Sequence, residues 1–145
     1  VDEFRDDLSQ VVAVPIPAAG AGFTFKPSGT NYNRLHAVTF SLTTSATVAD
    51  RCVLLAIKHG DGGVVAAIPS PALQTAASTD SYTFARGLYP YSVNSASAVV
   101  APLPDLWLRL GDSIVVTVSN IDAGDTITNI RVVLDQVSFL EARGE

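Results

Sequence analysis

The chain is short of several residue types, and each shortage excludes something. Among its 145 residues there are one cysteine (Cys52), two lysines (Lys26 and Lys58), two histidines, one tryptophan and no methionine. A single cysteine excludes any disulfide within the chain. Cys52 sits in the apolar run 51–57, where a small buried thiol is expected. Arg51 beside it should point to the opposite face of a strand. With so few lysines and no cluster of arginines there is no basic patch to displace counterions from phosphate, so no direct nucleic-acid partner is expected. No apolar stretch reaches the roughly 18 residues that cross a bilayer, so no membrane partner is expected. The start is acidic, with no basic segment leading into an apolar core. No signal peptide is read there, and synthesis in the cytoplasm without export is expected. The missing methionine fits removal of an initiator ahead of the small Val1.

Charge is scarce as well. Charged residues make up 16% of the chain, against roughly 25% in ordinary soluble domains. The net charge is −5, and Asp2, Glu3, Asp6 and Asp7 against Arg5 place −4 + 1 = −3 of it in the first ten residues. The polar quota is filled instead by 13 serines and 12 threonines, the neutral hydroxyls that suit the outer faces of strands. A surface this neutral is expected to be partly covered by other chains.

A sustained helical period is missing too. From residue 11 to residue 140, short β-branched runs alternate with Gly, Pro, Asn and Asp turns. Eight to ten strands result, at spacings of roughly 8–14 residues, which predicts an all-β antiparallel β-sandwich. The long connections favour Greek-key links and hence a jelly roll. The last run, 125–140, is the longest. Alternation predicts a core of Val38, Phe40, Leu42, Val53, Leu55, Ile57, Ile114, Val116, Val118, Ile130, Val132 and Leu134. It also places His36 on the core face of its strand and Leu35 on the other. Residues 1–30 read as an extended N-terminal arm with edge strands, the run 11–16 being ended by Pro15 and Pro17. Residues 31–145 read as the sandwich.

No set of residues forms an enzyme's signature, and no catalytic residue, cofactor or metal ligand is assigned. Gly60-Asp61-Gly62-Gly63 has the outline of a serine-protease nucleophile loop but lacks the serine, and reads as a hairpin turn. His36 and His59 have no Cys or His partners at metal-ligand spacing; a hydrogen-bonded core or interface histidine and a solvated one are expected. Asp122 and Asp125 are too sparse for a calcium loop and suit turns in which the carboxylate takes backbone N–H groups. Trp107 and the tyrosines Tyr82, Tyr89 and Tyr91 could stack on sugars, though a lone Trp in a Leu-Trp-Leu-Arg-Leu run more often anchors a strand. The arm joins Phe4 and Leu8, which want burial, to acids that keep the segment off its own sandwich. Residues 1–12 are therefore expected to reach another chain, with Phe4, Arg5 and Leu8 as the contact.

Two segments carry a family resemblance. They are LTTSATVADRCVLLAIKHGDGGVVAAIPSPALQTAASTDSYTFARG at 42–87 and PLPDLWLRLGDSIVVTVSNIDAGDTITNIRVVLDQ at 102–136. The shared traits are T-x-A-T-V-A-x-R, the Asp-Gly hairpin, P-x-x-Q-T-A, Y-T-F, and a close of P-L-P, L-x-x-G-D and N-I-x-A-G-D. Together they resemble small β-sandwich virion proteins of tailed bacteriophages. The resemblance implies a virion component such as a capsid decoration (cement) protein or a head or tail accessory protein. It also implies the major capsid protein or another virion protein as partner, and a homo-oligomer, with a trimer favoured. It spans most of residues 35–137 and leaves the arm outside. The alternative is a carbohydrate- or receptor-binding sandwich of a tail or cell-surface assembly.

If Asp61 only shapes a turn, Asp61→Asn should change stability by no more than about 0.5 kcal/mol in urea titration, because Asn supports the same backbone.

Overall fold

The computed structural model describes residues 8–27, 32–87, 94–95 and 97–137. Eleven strands run along them: β1 Leu8–Ala13, β2 Phe23–Phe25, β3 Tyr32–Thr43, β4 Cys52–Lys58, β5 Val64–Pro69, β6 Thr79–Arg86, β7 Asn94–Ser95, β8 Ala98–Leu103, β9 Trp107–Leu108, β10 Ser113–Ser119 and β11 Thr126–Val137. One sheet has the order β1-β11-β3-β6-β8-β7, with β9 also on β3, and the other β2-β10-β4-β5. With β7, β8 and β9 set aside, the pairing is nested. The first strand meets the last, the second the second-last, β3 meets β6 and β4 meets β5. That is a long hairpin rolled on itself, the jelly roll that the connection lengths predict. The insertion departs from the all-antiparallel expectation. β8 pairs parallel to β6, Ser81 to Arg86 lying opposite Ala98 to Leu103.

All twelve residues expected in the core are buried. Between the sheets Phe40 stacks on Tyr82 and Phe84 at 5.2 and 6.3 Å between ring centres, and Phe23 meets it edge-on at 5.5 Å. Two bulges shift the alternation elsewhere. Val133 and Leu134 are consecutive on β11 but face Ala37 and Leu35 on β3, so His36 is the extra residue. Leu35 is consequently the one in the core and His36 lies partly exposed, a correction to the simple alternation. On β11 the register slips between Thr128 and Arg131, and Asn129 takes a positive φ of 55°. That slip lets both Ile127 and Ile130 face inward.

Turn chemistry follows composition where the turns are local. Gly62 has φ 93°, its N–H bonds the His59 carbonyl, and Asp61 Oδ1 accepts the Gly63 N–H at 2.8 Å. Gly22 is required for a different reason, since a Cβ there would run into the Val116 carbonyl of β10.

Arg51 is the largest departure from expectation. It does point away from Cys52, but into the molecule: its side chain and that of Asp125 are both fully buried. Arg51 Nε and Nη2 donate to Asp125 Oδ2 and Oδ1 at 2.9 and 3.1 Å, and Nη1 donates to the Ala49 carbonyl at 2.7 Å. Asp125 also accepts the N–H groups of Ser45 and Asp122 at 2.8 and 2.9 Å. Asp122 takes the Gly124 N–H and the Ser45 hydroxyl, the turn duty expected of it. Cys52, expected to be buried, lies on the outer face of β4 and is partly exposed.

Burial alone would raise the Asp125 pKa, yet the hydrogen bonds from Arg51, Asp122 and Ser45 outweigh it and hold the carboxyl below its ordinary value of 3.8. Asp122 is lowered too, chiefly by the Gly124 N–H and then by the Ser45 hydroxyl. Asp80 moves the other way, raised by burial. A carboxyl depressed in the folded state contributes stability above its unfolded pKa and loses it as pH falls through the folded one. Stability should therefore be level above about pH 5 and decline below about pH 4. Arg51→Met or Asp125→Leu alone should cost about 3–5 kcal/mol, and the pair together clearly less than the sum. Urea unfolding of the four proteins across pH checks both points.

Candidate interaction surfaces

The two sheets present very different outer faces. On the smaller sheet, Val53, Leu55 and Ile57 point inward, so Cys52, Leu54, Ala56 and Lys58 point out. Register places Val115 and Thr117 of β10 beside them on one side and Ala67 and Pro69 of β5 on the other. Lys58 is the single charge among the strand residues of this face. The adjoining edge is apolar and open, with Val64 60% and Val65 42% exposed.

The outer face of the larger sheet carries the hydroxyls of β3 and β6, the exposed Arg131 of β11 and two further charged groups. Arg34 grips Asp105 with both arms of its guanidinium at 2.6 and 2.8 Å, and lies 5.7 Å from the centre of the Trp107 ring. The side-chain hydrogen bond from Arg34 is the main cause holding the Asp105 carboxyl below its ordinary range. Arg86 Nη2 contacts His36 Nδ1 at 2.7 Å and Asp135 Oδ2 at 3.4 Å. The second histidine, His59, is exposed and lies 3.5 Å from Asp112.

A pocket of about 190 Å³ opens at the mouth of the sandwich between the edge strands β1 and β2. Val12, Phe25 and Leu134 supply its apolar wall, and Gln10, Asn33 and Lys26 its polar one. Among the described residues, no group of three or more His, Cys, Asp or Glu could hold a metal ion. No helix among them is long and apolar enough to cross a membrane.

Of the residues expected to meet a partner, Phe4 and Arg5 lie outside the described residues. Leu8 opens β1, opposite Gln136 of β11. The expectation that residues 1–12 leave the sandwich therefore fails from Leu8 onward, because the backbone of 8–13 is paired within the chain's own sheet. The sugar-stacking set also comes apart. Tyr82 is buried, its hydroxyl donating to Gln74 Oε1 at 2.8 Å, and burial pushes its phenol above the ordinary range. Tyr89 and Tyr91 lie outside the described residues. Trp107, 46% exposed, does not anchor a strand interior. The open apolar edge of β5 was legible as a run of uncharged residues, but not as an edge.

No protein-family model matches the chain, and no curated protein matches it. Among solved structures, a chain of the T13 IBDV viral particle aligns over 90% of this chain at 10% identity and a TM-score of 0.45. A chain of infectious bursal disease virus, Gx strain, aligns over 97% at 10% identity and a TM-score of 0.32. The alignments cover 31% and 43% of those two chains, so this chain spans less than half of either. Likeness this weak assigns neither fold nor role.

Arginine can only donate, so the contact with Arg86 requires His36 Nδ1 to accept and the ring proton to sit on Nε2. Long-range ¹H–¹⁵N spectra should show that tautomer for His36 and its loss in Arg86→Gln.

Proposed function

We propose that this chain is a non-enzymatic structural protein of a virion, a capsid decoration (cement) protein that stabilises a phage-type head. The observation that carries the reading is the smaller sheet's outer face, where Lys58 is the single strand charge beside an open apolar edge. A broad neutral face of this kind suits contact with other protein, and it stands beside the resemblance of residues 42–87 and 102–136 to phage virion proteins. The jelly roll is compatible but does not choose, since capsid, lectin and cupin domains share it.

In this reading the partner is the major capsid protein or another virion protein, and the chain resides in the virion. The segment that leads into β1, with Phe4 and Arg5, is the arm that meets the partner, and Leu8 adjoins it as the first residue of β1. Ordering it costs about 1–2 kcal/mol per residue, which the partner surface must offset. Its acids make the contact sensitive to salt.

The test is the composition of purified virions. Mass spectrometry should find the chain at a fixed ratio to the major capsid protein, and immunogold labelling should place it on the head surface. Deleting residues 1–7 should lower that ratio at matched concentration and salt while leaving the melting temperature of the free subunit nearly unchanged. Absence from virions of cells that express the chain would overturn the reading. One observation favours the alternative, a carbohydrate-binding module: Trp107 stands half-exposed with Arg34 beside its ring. Glycan-array binding by the isolated chain, abolished by Trp107→Ala, would favour that module instead.

A further inference from the structure

β5 consists of six uncharged residues, Val64–Pro69, at one edge of the smaller sheet. Its backbone has a definite inside and outside. The Ser70 N–H bonds the Val53 carbonyl at 2.7 Å, and Ile68 and Ala66 follow at two-residue steps opposite Leu55 and Ile57. In an antiparallel ladder the residues between such pairs turn both backbone groups the other way. Ala67 therefore presents its N–H and C=O to the open side, and Pro69 presents its C=O. Pro69 has no N–H to lose there, which is why proline is tolerated at that position. Val65 is the extra residue where the register shifts, and it stands 42% exposed.

Edges like this invite another strand, and proteins blunt them with charge, proline or bulges; β5 has Pro69 and the bulge at Val65 toward its ends but no charge. The other long edge, β1, has Asp6 and Asp7 directly ahead of it and Pro15 and Pro17 behind. β2 is only three residues long. Nothing charged lies within β5.

We infer that β5 pairs antiparallel with β5 of a second copy about a two-fold axis centred on Ala67. The N–H and C=O of Ala67 meet those of Ala67 in the other copy. Val65 faces Pro69, whose carbonyl is the acceptor on offer there. The occupant is a second copy rather than a foreign strand for two reasons. Antiparallel pairing of identical strands is self-complementary about a two-fold, so everything the contact needs is in this sequence. The chain carries −5 overall, yet β5 carries none of it, so two copies meet here without opposing their acids. The two small sheets become one continuous sheet with their neutral faces aligned.

The test is sedimentation velocity of the full chain over a range of concentrations, read beside its melting curve. The wild type should reach twice the mass of the chain. Ala67→Pro removes the N–H that faces the open side without touching the ladder to β4, and should weaken association at least about tenfold. Val65→Lys places a charge on the edge and should do the same, so the test survives if the proline variant fails to fold. Val48→Lys, at a loop position 91% exposed and outside β5, should leave the mass unchanged. The Ala67 amide should exchange slowly in the wild type at high concentration and fast in Val65→Lys. A monomer at every soluble concentration, a trimer, or a dimer that persists in both edge variants would overturn the pairing. The virion reading is separable: a dimer absent from virions sinks only that reading, and a monomer present in virions sinks only this one.

Discussion

A buried ion pair with every polar atom engaged is the constraint on which one end of this sandwich depends. Desolvating Arg51 and Asp125 is expensive, and their mutual attraction repays it only when geometry and further hydrogen bonds are complete. Here they are. The guanidinium meets the carboxylate with two nitrogens and the Ala49 carbonyl with a third, and the carboxylate takes two backbone N–H groups besides. Those groups belong to the β3–β4 and β10–β11 connections. Arg51 also bridges to Gln74 of the β5–β6 connection through its backbone. Three loops distant in sequence are thereby held in one arrangement.

That arrangement continues into the core through a chain of neutral polar contacts. Gln74 donates to the Leu42 carbonyl at 2.8 Å and accepts from the Tyr82 hydroxyl, whose ring stacks on Phe40. Tyr82 can therefore lie 1% exposed without an unsatisfied hydroxyl. Satisfied polar groups at the end and aromatic packing in the middle together set the spacing of the sheets.

With its interior so specified, the chain keeps little charge for its outer faces. The larger sheet carries Arg131 and the Arg34–Asp105 and Arg86–His36–Asp135 groups, and the smaller carries Lys58 alone among its strand residues. This asymmetry gives the molecule two chemically distinct sides, one wetted by hydroxyls and ion pairs and one suited to lie against other protein. The proposed structural role draws on that division, because a face that packs and a face that meets solvent have opposite requirements.

Local chemistry was enough to determine much of this. Strand alternation found twelve core positions because a pleated strand repeats every two residues whatever lies beyond it. Asp61-Gly62 found its turn because the positive φ and the carboxylate bond both lie within three residues. The number and spacing of strands pointed to the jelly roll. What depended on distant partners was not legible. A bulge is a property of two strands, so His36 could not be told from a core residue until β11 was set against β3. Arg51 reads as a surface cation until Asp125, 74 positions later, is brought beside it. Likewise β5 reads as one more apolar strand. Only its place at the end of the sheet leaves its outer N–H and C=O groups open, because hydrogen bonding across a sheet is decided by which strand comes to lie alongside.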